Sequence, residues 1–123
     1  MSTRRKELIE QFKQMKPDMG IFWIRSKQSN KFFLETSQNL KGKMNSIRFQ
    51  LDAGAHPNQE LQSEWKKLGE DHFHFEILET LKYDKDETKT DYSEELAILK
   101  LMWEEKLNNQ KLVPYQQKWS ETN

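Results

Sequence analysis

The sequence predicts one α+β domain, in which helices flank a small three-stranded antiparallel sheet. Two short runs rich in aromatic and branched residues, 20–25 and 32–36, read as strands joined by a polar hairpin turn. Residues 73–79 alternate, which is the pattern of a strand with one buried face, here the side of Phe73, Phe75 and Ile77. Further stretches repeat apolar residues at helical spacing. Together these patterns favour helices packed on a sheet.

Four helices are predicted, over residues 3–15, 38–53, 57–69 and 92–108. Each carries apolar residues three or four positions apart, which form one stripe on a helix surface. In chain order the stripes are Leu8, Ile9, Phe12 and Met15; Leu40, Met44, Ile47 and Leu51; Leu61, Trp65 and Leu68; and Leu96, Leu99, Trp103 and Leu107.

Residues typical of helix ends mark several of these boundaries. Ser37 or Gln38 is expected near the start of the second helix, and Gly54 is expected to end it. Pro57 is expected to open the third helix, where its missing N–H costs nothing, and Gly69 to close it.

The remaining segments predict a loop and two termini. Residues 82–91 are charged and aperiodic, which indicates a solvent-exposed loop. The run Val113-Pro114-Tyr115 is expected to dock back onto the sheet, together with Trp119. The chain therefore divides into an N-terminal helical segment, 1–18, a domain over 19–119 and a disordered tail, 120–123.

Composition limits the classes of function. The chain has 123 residues, 34% of them hydrophobic, with 4 Trp and 7 Phe, which indicates one small core built around large rings. Charged residues make up 33% and balance to zero, which argues against nonspecific coating of nucleic acid or membrane. The absence of cysteine removes disulfides and thiolate chemistry. With no apolar run near 18 residues and no signal sequence, a cytoplasmic protein is expected.

The segment 20–78 resembles the GIY-YIG nuclease family. The residues that carry the resemblance are Gly20-Ile21-Phe22, Phe33-Leu34-Glu35, Asn39-Leu40, Lys43, His56-Pro57-Asn58, Leu61, Trp65, Gly69 and Phe75-x-Ile77-Leu78. With the last helix included, the resemblance covers most of the chain, and it implies the same α+β fold. It also implies cleavage of DNA phosphodiesters by two tyrosines, a helix arginine, often a histidine, and a helix glutamate that holds one divalent metal.

At the positions equivalent to these groups the chain carries other residues. Phe22 and Phe33 occupy the tyrosine positions and lack the hydroxyl. Lys43 replaces the arginine and lacks its planar fork, and Ile47 replaces the histidine. Lys100 falls where the metal-binding glutamate is expected, and a cation there repels a metal. The resemblance therefore implies a degenerate member without nuclease activity by the family's mechanism.

Acidic residues near these positions leave alternatives open. Glu35 stands where the family has glycine, and its charge is expected to repel a phosphate. Another register of the last helix makes Glu95, Glu104 or Glu105 the equivalent of the metal ligand, although solvated helix-face charges are the simpler interpretation. No metal site and no cofactor are expected, and Mg²⁺ only if residual nuclease activity exists.

The histidines are expected to have mainly structural roles. His56 and Asn58 are expected to shape the link between two helices and to cap the second one. In relatives a histidine in this stretch can lie near the substrate, so a binding role stays open. His72 and His74 share one side of a strand, but two ligands alone are weak evidence for a metal.

A noncatalytic interaction domain is the favoured function. It is expected to bind an unidentified protein partner, or a second copy of itself, through the residual cleft. The rings proposed as an aromatic anchor are Phe22, Trp23, Phe32, Phe33 and Trp119. The alternative is that these rings form the core.

Two other functions remain as alternatives. DNA or RNA binding without cleavage is suggested by a set of cations and polar residues: Arg25, Lys41, Lys43, Arg48, His56 and Asn58. The balanced total charge, Glu35 and an acidic stretch over 79–95 argue against it. A divergent metal-dependent endonuclease requires a carboxylate cluster near Lys43.

Overall fold

The structure, a computed structural model, describes residues 16–115. The predicted first helix over 3–15, Trp119 and the tail 120–123 lie outside these residues. The elements are β1 (Met19–Ser26), β2 (Lys31–Ser37), α1 (Leu40–Ala53), α2 (Gln59–Leu68), a 3₁₀ turn (Glu70–His72), β3 (Phe73–Leu81), α3 (Ser93–Asn109) and β4 (Val113–Pro114). The predicted α+β class is confirmed, with element ends shifted by one or two residues.

The sheet has four strands in the order β3-β1-β2-β4. β1 is antiparallel to both of its neighbours, and β4 runs parallel to β2, with Val113 opposite Lys31 and Pro114 opposite Phe32. The prediction of three antiparallel strands was therefore one strand short. A two-residue strand that contains a proline carries no periodic signal, although the expected docking of 113–115 on the sheet is confirmed.

Helices cover both faces of the sheet, and each interface holds its own cluster of buried side chains. α3 packs on one face through Leu96, Leu99 and Leu107. α1 and α2 pack on the other face; their buried residues are Leu40, Ile47, Leu51, Leu61 and Trp65. These contacts confirm the predicted stripes of three helices. They also make β1 a central strand that is buried on both faces.

Most of the rings proposed as an aromatic anchor belong to this core. Phe22, Trp23 and Phe32 are 0%, 8% and 3% exposed. Phe22 and Trp23 fill the space between the sheet and the helices and present almost no surface to a partner, so their assignment to a binding anchor was wrong. Phe32 is buried as well, but it lines part of a cavity of about 610 Å³. Of the anchor residues that the structure describes, Phe33 alone is half-buried and faces the surface.

A β-bulge on β3 breaks the predicted alternation of residues 73–79. Ile21 pairs with Glu79 and Phe22 with Ile77, which leaves Leu78 as the extra residue. Leu78 packs against the α3-side cluster, whereas Ile77 is 41% exposed, so its prediction as a buried residue was wrong.

The same part of the sheet explains Gly20. A Cβ at Gly20 would lie 2.1 Å from the carbonyl oxygen of Glu79 on the neighbouring strand. No side chain fits in that gap, so the first glycine of the motif is required by the close approach of β1 and β3.

Asparagines cap the two shorter helices, Asn58 as expected and Asn39 in place of the predicted Ser37 or Gln38. The Asn39 side chain accepts a hydrogen bond from Gly42 N–H at the start of α1, one or two residues after the predicted cap. The Asn58 side chain caps α2, so Pro57 precedes the cap and does not open the helix. Gly54, with φ of 75°, ends α1 as predicted. None of the helices in residues 16–115 is long and apolar enough to cross a bilayer.

Candidate functional site

A cleft lies at the free edge of β2. β1 pairs along one edge of β2, whereas on the other edge β4 pairs only with Lys31 and Phe32, so the rest of that edge has no strand partner among residues 16–115. At this edge α1, from one face of the sheet, and α3, from the other, line one cavity of about 240 Å³. The cavity is lined by Phe33 and Glu35 of β2, by Lys43 and Ile47 of α1, by His56 in the link between α1 and α2, and by Lys100 of α3.

The cavity brings together four of the five positions at which the resemblance places catalytic groups. Phe33, Lys43, Ile47 and Lys100 all line it, although residues 43 and 100 are far apart in sequence. Phe22 is absent from its lining and is fully buried between β1 and α1. The sequence-predicted positions therefore converge, except for the first ring.

The alternative acidic residues of α3 lie elsewhere. Glu95 forms an ion pair with Lys89. Glu104 and Glu105 line a neighbouring cavity of about 610 Å³. Among these candidates on α3, Lys100 alone lines the same cavity as Lys43.

The cleft contains two ammonium groups, those of Lys43 and Lys100, and one carboxylate, that of Glu35. Within residues 16–115, neither Lys43 nor Lys100 forms an ion pair within 4.0 Å. Glu35 is half-buried, and its Oε1 accepts a hydrogen bond from the N–H of Thr36 at 3.2 Å. The cavity thus carries two cations against one carboxylate.

His56 is held in a fixed orientation at the wall of the cleft. Its Nδ1 accepts a hydrogen bond from Asn58 N–H at 3.0 Å, and its ring meets Phe33 edge-on with 5.2 Å between centroids. Burial lowers the pKa of His56, and Lys43 acts in the same direction, whereas nearby Glu35 opposes the shift. A neutral imidazole is therefore favoured, with Nδ1 already occupied.

Asn58 confirms the capping prediction. Its Oδ1 accepts from Leu61 N–H at 3.1 Å, and its Nδ2 donates to the carbonyl oxygen of Tyr115 at 3.3 Å. The same side chain therefore starts α2 and fixes the chain just after β4. A cap that also reaches a distant segment explains why this asparagine is buried.

The residues of the cavity do not fit a divalent cation. Its lining offers one carboxylate, Glu35, and one imidazole, whose Nδ1 is used by Asn58. Lys43 and Lys100 would repel the ion. Across residues 16–115 no group of three or more His, Cys, Asp or Glu side chains is placed to hold a metal. His72, one of the two histidines considered as ligands, lies in the 3₁₀ turn, with Nδ1 3.1 Å from Gln28 Nε2.

The cations considered for nucleic-acid binding do not form one patch. Arg48 stacks over Phe75, 4.4 Å from the ring centroid, on the α1 and α2 side of the sheet. Arg25 stacks over Trp23 at 5.3 Å, on the α3 side. Lys41 and Lys43 are exposed on α1. The structure therefore separates the two arginines by the sheet.

Sequence reasoning missed the neighbouring cavity, which shares Phe33, Leu34 and Lys100 with the first one. It is completed by Asn108, Leu112 and Pro114, together with the two acidic residues of α3 and Tyr115. The Tyr115 hydroxyl donates to Glu64 at 3.2 Å, and burial, followed by the charge of Glu64, raises the pKa of Tyr115. The only available signal was the expected docking of 113–115, because the acidic residues read as solvated helix charges.

The fold and the cleft define a GIY-YIG-like α+β domain. The structure is similar to the catalytic domain of the homing endonuclease I-TevI, with a TM-score of 0.61 and 24% identity over 79% of this chain and 95% of that chain. A mutant of the same domain, described as an intron endonuclease, matches with a TM-score of 0.61 and 23% identity over 80% and 92%. Identity at this level shows the fold alone. No protein-family model and no curated protein matches the sequence significantly.

Proposed function

We propose that this chain is a noncatalytic binding domain on a GIY-YIG-like fold, and that its binding surface is the cleft at the edge of β2. One observation carries the proposal. The cavity that collects Phe33, Lys43, Ile47 and Lys100 contains no hydroxyl at the ring position and a cation where a metal ligand is expected. Phenylalanine and isoleucine carry no group that moves a proton, and an ammonium group does not ligate a divalent metal.

The free edge of β2 supports a peptide-like partner. Phe32 O accepts a hydrogen bond from Tyr115 N–H, so the alternation of the strand directs the backbone groups of Leu34 to the same edge. Leu34 and the half-buried Phe33 line both cavities. An extended segment that pairs with β2 would place its side chains in these cavities, the arrangement of strand addition.

A nuclease assay tests the absence of catalysis. We expect no cleavage of plasmid DNA by the native chain in Mg²⁺ or Mn²⁺, because loss of a general base alone costs about 10²–10⁴ in rate and loss of the metal costs more. Cleavage by the native chain that disappears in a Lys43→Ala variant contradicts the proposal.

A matched pair of variants tests the binding surface. Phe33→Asp places a charge in the cleft, whereas Phe49→Asp changes a phenylalanine that is 75% exposed on α1 and away from it. We expect proteins captured by the native chain, or self-association measured by sedimentation, to be lost in Phe33→Asp and kept in Phe49→Asp. Equal retention by both variants places the binding surface elsewhere.

A charge reversal tests whether Lys100 excludes a metal. Lys100→Glu would put a second carboxylate beside Glu35 and His56. We expect Mg²⁺ or Mn²⁺ to raise the melting temperature of this variant and to leave the native chain unchanged, since a ligand that binds only the folded state stabilises it. Stabilisation of the native chain by the metal favours the divergent endonuclease.

Nucleic-acid binding without cleavage is a second candidate, favoured by Lys43 and Lys100 in the cleft, which form no ion pair with any residue of 16–115. It predicts affinity for labelled DNA or RNA that falls steeply with salt, because bound phosphates release counterions. Lys43→Gln with Lys100→Gln should weaken this binding, whereas Lys66→Gln, an exposed change on α2, should not. No salt-sensitive binding at low ionic strength removes the candidate.

A further inference from the structure

The larger cavity of the cleft, beside β4, combines aromatic rings with charged side chains. Its volume of about 610 Å³ lies in the range of pockets that hold ligands. Its lining includes the rings of Phe33 and Tyr115, and α3 contributes Lys100, Glu104 and Glu105. The cavity therefore offers apolar surface next to carboxylates.

The two cavities of the cleft differ in the sign of their net charge. The larger one contains two carboxylates, those of Glu104 and Glu105, and one ammonium group, that of Lys100. Neither carboxylate forms an ion pair with any residue in the part of the chain that the structure describes. The smaller cavity, of about 240 Å³, contains Lys43 and Lys100 against Glu35. A cation is thus attracted to the larger cavity and repelled from the smaller one.

The cavities also lie on different sides of the edge of β2. Leu34 belongs to the cluster on the α3 side of the sheet, and Phe33 packs against the cluster on the α1 and α2 side. Among the described residues, none of α1 lines the larger cavity, whereas Lys43 and Ile47 of α1 line the smaller one. Because neighbouring side chains of a strand point to opposite faces, an extended segment at this edge would direct adjacent residues to different cavities.

We propose that the cleft binds an extended peptide by accepting one arginine or lysine side chain in the larger cavity, toward Glu104 and Glu105; the assignment rests on the function proposed above. The aliphatic stem of the basic side chain would contact the apolar lining, and its cationic end would pair with a carboxylate and stack on a ring such as Phe33. Its neighbours in the peptide would face the smaller cavity, where Lys43 disfavours a second basic residue.

The carboxylates favour a peptide over a nucleic acid as the occupant of the cleft. Glu35, Glu104 and Glu105 all line it, and each would repel a phosphate. A basic side chain meets opposite charge at two of these positions. Charge complementarity therefore points to a peptide with an isolated basic residue.

Selection from a phage-displayed library of short random peptides tests the basic-peptide proposal on the full chain. The native chain is compared with Glu104→Gln plus Glu105→Gln, and with Glu70→Gln plus Glu94→Gln. The second pair removes two exposed carboxylates outside both cavities, so it is matched in charge. We expect the native chain and the control pair to enrich peptides with an arginine or lysine between nonbasic neighbours, and the cavity pair to lose this preference. Circular dichroism verifies that all forms fold.

A titration separates a direct contact from a general effect of charge. A selected peptide is labelled, and its affinity is measured by fluorescence polarisation with its basic residue intact or replaced by leucine. We expect either the peptide change or the Glu104→Gln plus Glu105→Gln change to weaken binding about tenfold or more. The two changes together should cost little more than one of them, because contacting groups are not additive. Additive losses, or equal losses in the control pair, overturn the basic-peptide proposal.

The remaining outcomes separate this proposal from the proposed function. Enrichment of peptides without basic residues, with binding that Phe33→Asp abolishes, keeps the cleft as a binding surface and overturns the basic-peptide proposal. Enrichment of peptides with runs of basic residues indicates nonspecific attraction and overturns it as well. If the native chain enriches no peptide, the proposal is overturned, and salt-sensitive binding of a labelled oligonucleotide then assigns the cleft to nucleic acid.

Discussion

Phe22 and Phe33 occupy equivalent places in the two motif strands, yet the structure gives them different surroundings. Phe22 lies on the central strand β1, is fully buried, and contacts the cluster beneath α1. Phe33 lies on β2 beside its free edge, is half-buried, and lines both cavities of the cleft. One residue type therefore serves the core at one position and the surface of the candidate site at the other.

The difference shows which substitution bears on function. At Phe22 a ring without a hydroxyl suits a dry environment, since a buried hydroxyl needs a hydrogen-bond partner. At Phe33 the ring packs against His56 and lines the cavity, where a hydroxyl would meet water or a ligand. The proposed loss of catalysis therefore depends on the residues of the cleft and not on Phe22.

The largest expected effect is a loss of stability caused by a substitution in the core beside Phe22. In Gly20→Ala a new methyl group would overlap the carbonyl oxygen of Glu79, at 2.1 Å, and lie 2.7 Å from Thr80 Cα. We expect the free energy of unfolding to fall by about 3 kcal/mol or more, measured by urea denaturation.

A second glycine is the control for that result. Gly54 has φ of 75°, and nothing lies within 4 Å of an added Cβ. Gly54→Ala should therefore cost only about 1 kcal/mol, from backbone conformation alone. Equal losses in the two variants would contradict the steric explanation of Gly20.

Adding the missing hydroxyls compares the two regions directly. Phe22→Tyr buries a hydroxyl and should lower the free energy of unfolding by about 1–3 kcal/mol. Phe33→Tyr, at the cleft, should change it by less than about 0.5 kcal/mol. Thermal and urea unfolding of the two single variants measure the difference; a reversed order would show that the Phe22 ring has access to the cleft.

A smaller loss of stability is expected from substitutions of Asn58, which lies at the boundary of the cleft. Asn58→Ala removes the α2 cap and the hydrogen bond to Tyr115 O and should cost about 1–2 kcal/mol. Asn58→Asp keeps an oxygen acceptor for Leu61 N–H, so it should lose less. If both variants lose the same free energy, capping is not the main role of Asn58.

The smallest effect is a pH dependence from His56. Its pKa is lowered in the folded chain from an ordinary value of 6.5, so the unfolded chain takes up the proton more readily. Stability from His56 is therefore present above pH 6.5 and is lost as the pH falls below that value. We expect the melting temperature to drop on acidification, less so in His56→Gln. Exposed His74→Gln is the control and should keep the native profile.

Local patterns predicted the helices well, because a stripe such as Leu40, Ile47 and Leu51 must be buried whatever covers it. They failed where neighbours decided the outcome. The bulge at Leu78 depends on how β3 pairs with β1, and the strand at 113–114 depends on where the chain returns to β2. Neither pairing leaves a periodic trace in the sequence.

The sequence predicted which residues belong to the candidate site, but not how they are arranged in space. The order of the motifs predicted that Phe33, Lys43, Ile47 and Lys100 belong to one site. Each position can be recognised from its residue type and its neighbours in the sequence. Only the packing of α1 and α3 on opposite faces of the sheet, meeting at its edge, brings these residues to one cavity.

By itself, the sequence determined the α+β class, the apolar faces of the helices and the chemistry available at each motif position, because these follow from residue types and their spacing. The tertiary structure decided which rings are core, which lysines meet, and which strand edge stays free. Those outcomes depend on contacts between segments distant in the chain, and such contacts are fixed only when both faces of the sheet are packed.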